Sequence, residues 1–205
     1  RLLKNFLNYN PKSITAIDPA DCIEIAKKNN DGKNIEYLQI DSTKMNIHDK
    51  YDYVFSIGVI HHIPDAEKAV ANIHKSLKSG GKFIMWVYGY ENNEIYVLIF
   101  NNLRRILSRL PDFIVEIFSF VFTLLTYVYI ILCKFLKLPL RKYFLKIFSK
   151  FSFKHKFYVI FDQLNPKYSK YYKKQEVLDL IQNADFVIED IYHKDDYSWT
   201  IIGKK

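Results

Sequence analysis

The chain has 205 residues, of which 49% are hydrophobic, and 30 Lys and Arg stand against 22 Asp and Glu for a formal charge of +8. That length and apolar content are enough to bury a domain-sized core, which excludes a disordered chain. The basic excess is local: residues 117–161 hold eight basic and no acidic side chains, and the remainder balances at 22 against 22, so one segment carries the charge.

In chain order, the opening RLLKNFL sets Leu2, Leu3, Phe6 and Leu7 on one helical face. A helix is therefore predicted from Arg1, and the sequence starts inside an element. Apolar runs then predict strands at 13–18 (SITAID), 35–41 (IEYLQID) and 51–57 (YDYVFSI), the first two ending in Asp18 and Asp41. Helices are predicted at 21–29, through Cys22, Ile23, Ile25 and Ala26, and at 65–77, where Asp65 after Pro64 is placed as an N-cap. KSGGK at 78–82 predicts a turn into a fourth strand, FIMWVYG, whose continuous apolar character fits burial on both faces.

From 91 to 161 the pattern becomes helical and rich in Leu, Ile, Phe and Lys. Residues 117–133 run 17 positions without a charge, the lower limit for a membrane span. Within 140–151, Leu140, Phe144, Ile147, Phe148 and Phe151 share one predicted helical face, with Lys142, Lys146 and Lys150 opposite and Arg141 at the border. A helix at 175–183 and two strands, FVIEDIY and SWTIIG, separated by HKDDY, then predict a terminal antiparallel hairpin. Alternation of strand and helix predicts an α/β fold with parallel βαβ units, in which ligands bind beyond the carboxyl ends of the strands.

Cys22 and Cys133 have no partner at metal-ligand spacing. No metal site is expected, and the pair reads as two buried thiols in a reducing cytosol. Taken singly, Asp18 and Asp41 read as turn or cap residues. Taken together with the segment VFSIGVIHHIPD, they read as ligand-binding carboxylates.

VFSIGVIHHIPD, followed by a helix and LKSGGKFIMW, resembles the class I S-adenosylmethionine-dependent methyltransferases, in particular the small-molecule, quinone-methylase-like branch. The resemblance covers residues 1 to about 89, with Ser79 where the family usually has Pro. It implies a Rossmann-like sheet with a helical insertion and a C-terminal antiparallel hairpin. The implied domains are a cofactor-binding part at 1–90, a hydrophobic basic insertion or lid at 91–161, and the rest of the sheet at 162–205. The implied cofactor is S-adenosyl-L-methionine. Asp18 would accept from both ribose hydroxyls and Asp41 from the adenine amine, with Ser42 and Thr43 closing over the ring. Ser56, Ile57 and Gly58 would lie under the methionine moiety. The family's first strand and glycine-rich loop would precede Arg1, since the first of the six glycines is Gly32; the chain is therefore expected to be N-terminally truncated.

His61 and His62 read either as a general base or as a structural, cofactor-contacting loop. FDQLNPKYSKYY, after the insertion, resembles an Asp, Pro, Tyr segment of some bacterial members and suggests Asp162, Asn165 and Tyr168 for the acceptor pocket. The acceptor is expected to be a small or lipid-linked molecule. The 140–151 helix suits an anionic membrane surface, giving a cytoplasmic protein peripheral on the inner face, unless the insertion is a helical lid. Nucleic acid is disfavoured as a partner because the aromatics follow the apolar stripe. Two alternatives stay open: a nicotinamide-dependent oxidoreductase, and a membrane-associated binding protein with a decayed methyltransferase fold.

Overall fold

The structure, a computed structural model, describes residues 2–30, 34–195 and 197–205. Arg1, Gly32 and Asp196, which figure in the expectations above, lie outside the described residues.

Four strands build the main sheet: β3 (Tyr51–Ile57), β4 (Leu77–Tyr88), β5 (Val187–Lys194) and β6 (Ser198–Lys204), in the order β3-β4-β6-β5. β3 and β4 are parallel, joined by helix α3 (Ala66–Ser76), while β6 returns antiparallel between β4 and β5. The predicted terminal hairpin is present. Alternate β4 side chains, Phe83, Met85 and Val87, are completely buried. They form one core with Ala69, Val70 and Ile73 of α3, Ile201 of β6, and Val177 and Ile181 of α8 (Lys174–Gln182). α3 begins where the sequence places its cap, with the Asp65 carboxylate accepting from the Lys68 N–H at 3.1 Å.

The predicted turn at 78–82 lies inside β4. Register along β3 jumps from Tyr51↔Leu77 to Tyr53↔Lys82, so Lys78 to Gly81 bulge outward, with Gly80 at φ +75°. The glycines bend a strand here instead of joining two elements.

β1 (Ile14–Ile17) and β2 (Ile35–Leu38) are parallel, with α2 (Cys22–Asn29) between them, but form a two-stranded sheet of their own. The expected single sheet is thus divided, since no ladder joins β1 to β3. Lys50, just before β3, donates to Glu36 on β2 at 2.7 Å and keeps the two sheets adjacent. On the open flank of β3, Tyr53 is 60% and Phe55 45% exposed. Phe6 of α1 (Leu2–Leu7) packs on Phe55 with ring centroids 4.5 Å apart.

The insertion comprises α4 (Glu94–Leu107), α5 (Asp112–Phe135), α6 (Arg141–Lys146) and α7 (Phe153–Leu164), and its last helix runs three residues past the expected boundary at 161. It has a second core of Leu107, Val115, Phe148, Ile160 and Leu164. The single helix expected over 140–151 is broken. Leu140 is left-handed at φ 54°, α6 ends at Lys146, and a 3-10 turn follows at Phe148–Lys150. Phe144, Phe148 and Phe151 stack on one another inside this core, at 5.0 and 5.8 Å. The apolar stripe of that segment therefore faces the protein and is not available to a membrane. Cys22 is exposed and only Cys133 is buried, which corrects the expectation of two buried thiols.

Candidate active site

The predicted cofactor residues lie at or just beyond the ends of β1, β2 and β3. Asp18 follows β1 directly, and its Oδ1 accepts from the Ala20 N–H at 2.9 Å, which holds the carboxylate in a tight turn. Asp41 lies three residues past β2 and caps the 3-10 turn Ser42–Lys44: its Oδ1 accepts from the Thr43 N–H at 2.8 Å and the Thr43 hydroxyl at 2.9 Å. These bonds, the backbone one foremost, hold the Asp41 carboxyl below the usual range and keep it ionised. Asn72 of α3 donates to the carbonyl oxygens of both Ser42 and Thr43 at 3.0 Å, so the turn is pinned from below.

At the end of β3, Ser56 is buried and Ile57 is paired with Trp86. Gly58 adopts φ +78° and its N–H donates to the Trp86 carbonyl oxygen at 3.1 Å. A Cβ at this position would meet the Trp86 ring at 3.6 Å in a backbone conformation that L-residues avoid. Trp86 is itself fixed by donation from Nε1 to the Ser198 hydroxyl at 3.0 Å.

His61 and His62 occupy a 3-10 turn just beyond Gly58 and have different environments. His61 is 0% exposed, its ring stacks on Tyr88 at 3.9 Å, and neither ring nitrogen has a hydrogen-bond partner among the described residues. Burial, reinforced by His62 and Arg104, lowers its pKa to about 3. It is a neutral, weakly basic imidazole closed off from solvent, an environment that favours the structural, loop-holding reading of His61 over that of a general base. His62 bonds through Nδ1 to the carbonyl oxygen of Tyr168 at 3.0 Å. A carbonyl oxygen only accepts, so Nδ1 carries the proton and Nε2 presents a lone pair. Burial lowers the His62 pKa, and Arg104 adds to this, while the Tyr168 bond and the Asp162 charge oppose it.

The predicted acceptor residues lie where the chain returns from the insertion. Asp162, on α7, faces His62 electrostatically and has its carboxyl pKa raised by desolvation; it also lines a surface groove along α7 with His155 and Tyr158. Tyr168 meets His62 through its backbone carbonyl. Asn165 is the C-cap of α7, and its N–H donates to Phe161 at 2.9 Å. The returning segment then crosses the strand ends: the Lys170 N–H donates to the His61 carbonyl at 2.8 Å and the Tyr172 N–H to the Tyr88 carbonyl at 2.9 Å. The structure thus brings Asp162 and Tyr168 to His62, and gives Asn165 a helix-capping position.

Sequence reasoning did not identify Gln163, which organises the polar layer above β4. Its amide donates to the Tyr88 hydroxyl at 2.6 Å, and its carbonyl accepts from Tyr171 at 2.8 Å and Tyr96 at 3.1 Å. The backbone carbonyl of Gln163 accepts from Arg104 Nε at 2.8 Å, and Arg104 is only 5% exposed. Burial raises the pKa of Tyr88, Tyr96 and Tyr171, so all three remain protonated donors. These partners come from α4, β4, α7 and the returning segment, and no spacing within one element could have revealed them.

Residues 1–85 match the family model described as a methyltransferase domain. A 39-residue stretch is 54% identical to phosphoethanolamine N-methyltransferase 2 of Caenorhabditis elegans, covering 19% of this chain and 9% of that protein. The whole chain aligns with the Burkholderia thailandensis 1,6-didemethyltoxoflavin-N1-methyltransferase, solved with 1,6-didemethyltoxoflavin and S-adenosylhomocysteine bound, at TM-score 0.55 and 13% identity over 66% of that structure. An S-adenosylmethionine-dependent methyltransferase from Mesorhizobium loti aligns with 99% of the chain at TM-score 0.56 and 11% identity, covering 85% of that structure. One from Methanosarcina mazei aligns with 94% at TM-score 0.52 and 14% identity, covering 82% of it. At these identities the structural likeness is one of fold. The first 85 residues thus match a methyltransferase-domain model, and the chain as a whole shares the fold of these S-adenosylmethionine-dependent methyltransferases.

Proposed function

We propose that this chain is an S-adenosylmethionine-dependent methyltransferase chain acting on a small molecule, free or carried on a lipid. The observation that supports the reading best is the row of strand ends. An anchored carboxylate follows β1, an ionised one stands past β2, and a glycine with no side chain opens the end of β3. Two hydroxyl donors on a ribose suit Asp18, an exocyclic amine suits Asp41, and a cofactor approaching closely suits Gly58. When bound, the cofactor supplies an electrophilic methyl group. The chain's own residues orient the acceptor and take its proton, for which Nε2 of His62 is the available lone pair beside Asp162 and Tyr168.

We further propose that one parallel strand completes the sheet between β1 and β3. Among the described residues each has an edge without a ladder partner, and the upstream strand implied by the family resemblance would join the two sheets and carry the glycine-rich loop to the cofactor. The stretch 117–161 of the insertion, cationic and without an acidic residue, supports a position on the inner face of a membrane.

The test is calorimetry with S-adenosylmethionine, S-adenosylhomocysteine and NAD, on this chain and on a version extended upstream. Binding of the first two by the extended version is the expected result. Binding of NAD alone would replace this reading with a nicotinamide-dependent oxidoreductase. Binding of none by the extended version would leave a fold without cofactor chemistry.

A further inference from the structure

We propose that α5 is embedded in the plane of a bilayer interface through its outward face, an inference that rests on the membrane-peripheral reading above and names the surface responsible. α5 has 24 residues, and its most apolar 18-residue window has mean hydropathy 2.1, yet only 17% of that window is buried in the protein. It is not a core helix. Ile117, Phe120, Val121, Leu124, Val128 and Ile131 form a stripe along its outer side, each between 47% and 59% exposed.

The inward side of the same helix carries hydroxyls beside Val115, Phe122 and Ile130 of the second core. Ser119 and Thr123 are completely buried, donating to the carbonyl oxygens of Val115 and Ser119 at 2.7 and 2.6 Å. Thr126 follows one turn on, donating to the Thr123 carbonyl at 2.6 Å. In water, an amphipathic helix turns its apolar side to the protein and its polar side to solvent. Here small hydroxylated residues sit against the protein among Val115, Phe122 and Ile130, while the outer side, where a soluble helix would be polar, carries large apolar residues. This is the distribution a helix adopts when its outer solvent is hydrocarbon.

The charges select a bilayer over a second protein and an in-plane position over a span. Exposed Lys134, Lys137, Lys146, Lys150 and Lys154 gather around the C-terminal end of α5 and the segments packed on it, in a stretch with no acidic residue. They match the headgroups of an anionic leaflet. At 1.5 Å per residue α5 is about 36 Å long, but α7, which leads back toward the sheet, has 12 residues and carries Lys154 and Lys156. α7 is too short and too charged to recross hydrocarbon, and both flanks join the same domain. The helix therefore lies along the interface, its stripe toward the acyl chains and its lysines among the headgroups.

The experiment is flotation of the full chain with vesicles of phosphatidylcholine alone and of phosphatidylcholine with phosphatidylglycerol. Three further proteins are compared: Leu124→Gln with Val128→Gln; Lys134→Gln with Lys137→Gln and Lys146→Gln; and Leu125→Trp. All substituted side chains are exposed, so circular dichroism in buffer should match the parent. Embedding predicts binding to the anionic vesicles that falls about tenfold in each multiple variant, with added Leu125→Trp fluorescence quenched by acyl-chain spin labels. Salt-sensitive binding that the Leu124 and Val128 changes leave intact, with quenching only by headgroup labels, would overturn embedding while sparing the peripheral reading. Absence of binding to either vesicle would overturn both, and concentration-dependent dimers abolished by the Leu124 and Val128 changes would assign the face to a second copy of the chain.

Discussion

His62 donates from Nδ1 to the carbonyl oxygen of Tyr168, 106 residues along the chain, at 3.0 Å. This bond fixes the tautomer and joins the strand-end loop to the segment that returns from the insertion. Its catalytic meaning is open to a direct test. His62→Gln keeps a donor for Tyr168 but removes the Nε2 lone pair. If that lone pair takes the acceptor's proton, turnover falls by about 10²–10⁴ while cofactor affinity measured by calorimetry is unchanged. An unchanged turnover would reduce His62 to a positioning residue.

The neighbouring His61 makes a separate prediction about stability. Its imidazole has an ordinary pKa of 6.5 when unfolded and about 3 in the folded protein, because burial disfavours the cation. The unfolded chain therefore binds the proton first as pH falls. Stability is fully present above about pH 6.5 and declines below it, by at most about 1.4 kcal/mol per pH unit, until the folded pKa is reached. His62 and His74 are also lowered by burial and add to the slope. Urea unfolding at about pH 7 and about pH 5.5 should show a smaller loss for His61→Phe than for the parent; equal losses would mean that His61 titrates normally.

Asp18→Ala addresses the cofactor. Losing a carboxylate that accepts from two ribose hydroxyls costs about 2–3 kcal/mol, or tens to about a hundredfold in affinity. The same change removes the bond from the Ala20 N–H, so a small loss of thermal stability should accompany it. Calorimetry on the upstream-extended chain reads the first effect and a melting curve the second. A stability loss with no change in affinity would leave Asp18 as a turn residue alone.

The two glycines that frame β3 and β4 should separate function from packing. Gly58 has φ +78°, and a Cβ there meets only the Trp86 ring, at 3.6 Å. The expected cost of Gly58→Ala is about 1–2 kcal/mol of backbone strain, plus loss of cofactor binding. Gly81 is not left-handed, but its Cβ would sit 2.9 Å from the Lys78 carbonyl oxygen and 3.2 Å from that of Asp52. Backbone atoms cannot step aside, so Gly81→Ala should cost about 2–3 kcal/mol with cofactor affinity kept in the folded fraction. Denaturant midpoints and calorimetry on both variants check the contrast, and a reversed order of effects would remove Gly58 from the cofactor surface.

How much of this was legible in the sequence depends on the range of the interaction. Asp65 at its N-cap, the apolar runs of β1 to β4 and the final hairpin follow from local chemistry, and the structure reproduces them. The strip Leu140, Phe144, Ile147, Phe148 and Phe151 has helical spacing but faces inward, because periodicity shows that a face is apolar and does not show what it packs against. The same limit hid the bare apolar face of α5: a charge-free run reads alike whether buried or bare. The division of the sheet is not visible in β1 and β3 themselves, each of which reads as an ordinary buried strand, and follows only from the family resemblance, which sets a further strand upstream. Gln163, Tyr88, Tyr96 and Arg104 meet across separations of 59 to 75 residues, set by how the insertion folds back.

That polar layer gives the last prediction. Gln163 satisfies three tyrosine hydroxyls with one amide, and Gln163→Leu would leave those of Tyr88, Tyr96 and Tyr171 in a site nearly closed to water. An unsatisfied buried hydroxyl costs about 1–3 kcal/mol, but water entering at the periphery offsets part of the total, so a loss of about 2–4 kcal/mol is expected. Gln163→Glu retains the acceptors for Tyr96 and Tyr171 and can still accept from Tyr88, whose hydroxyl reverses its role, so its loss should be smaller despite the buried charge, with Arg104 nearby. Because the layer ties α4 and α7 to β4, the leucine variant should loosen the insertion before the sheet. Hydrogen exchange should then accelerate in α4 and α7 while β3, β4 and β6 remain protected. Uniform acceleration across all these elements would show that the insertion and the sheet unfold as one unit, and that Gln163 stabilises both alike.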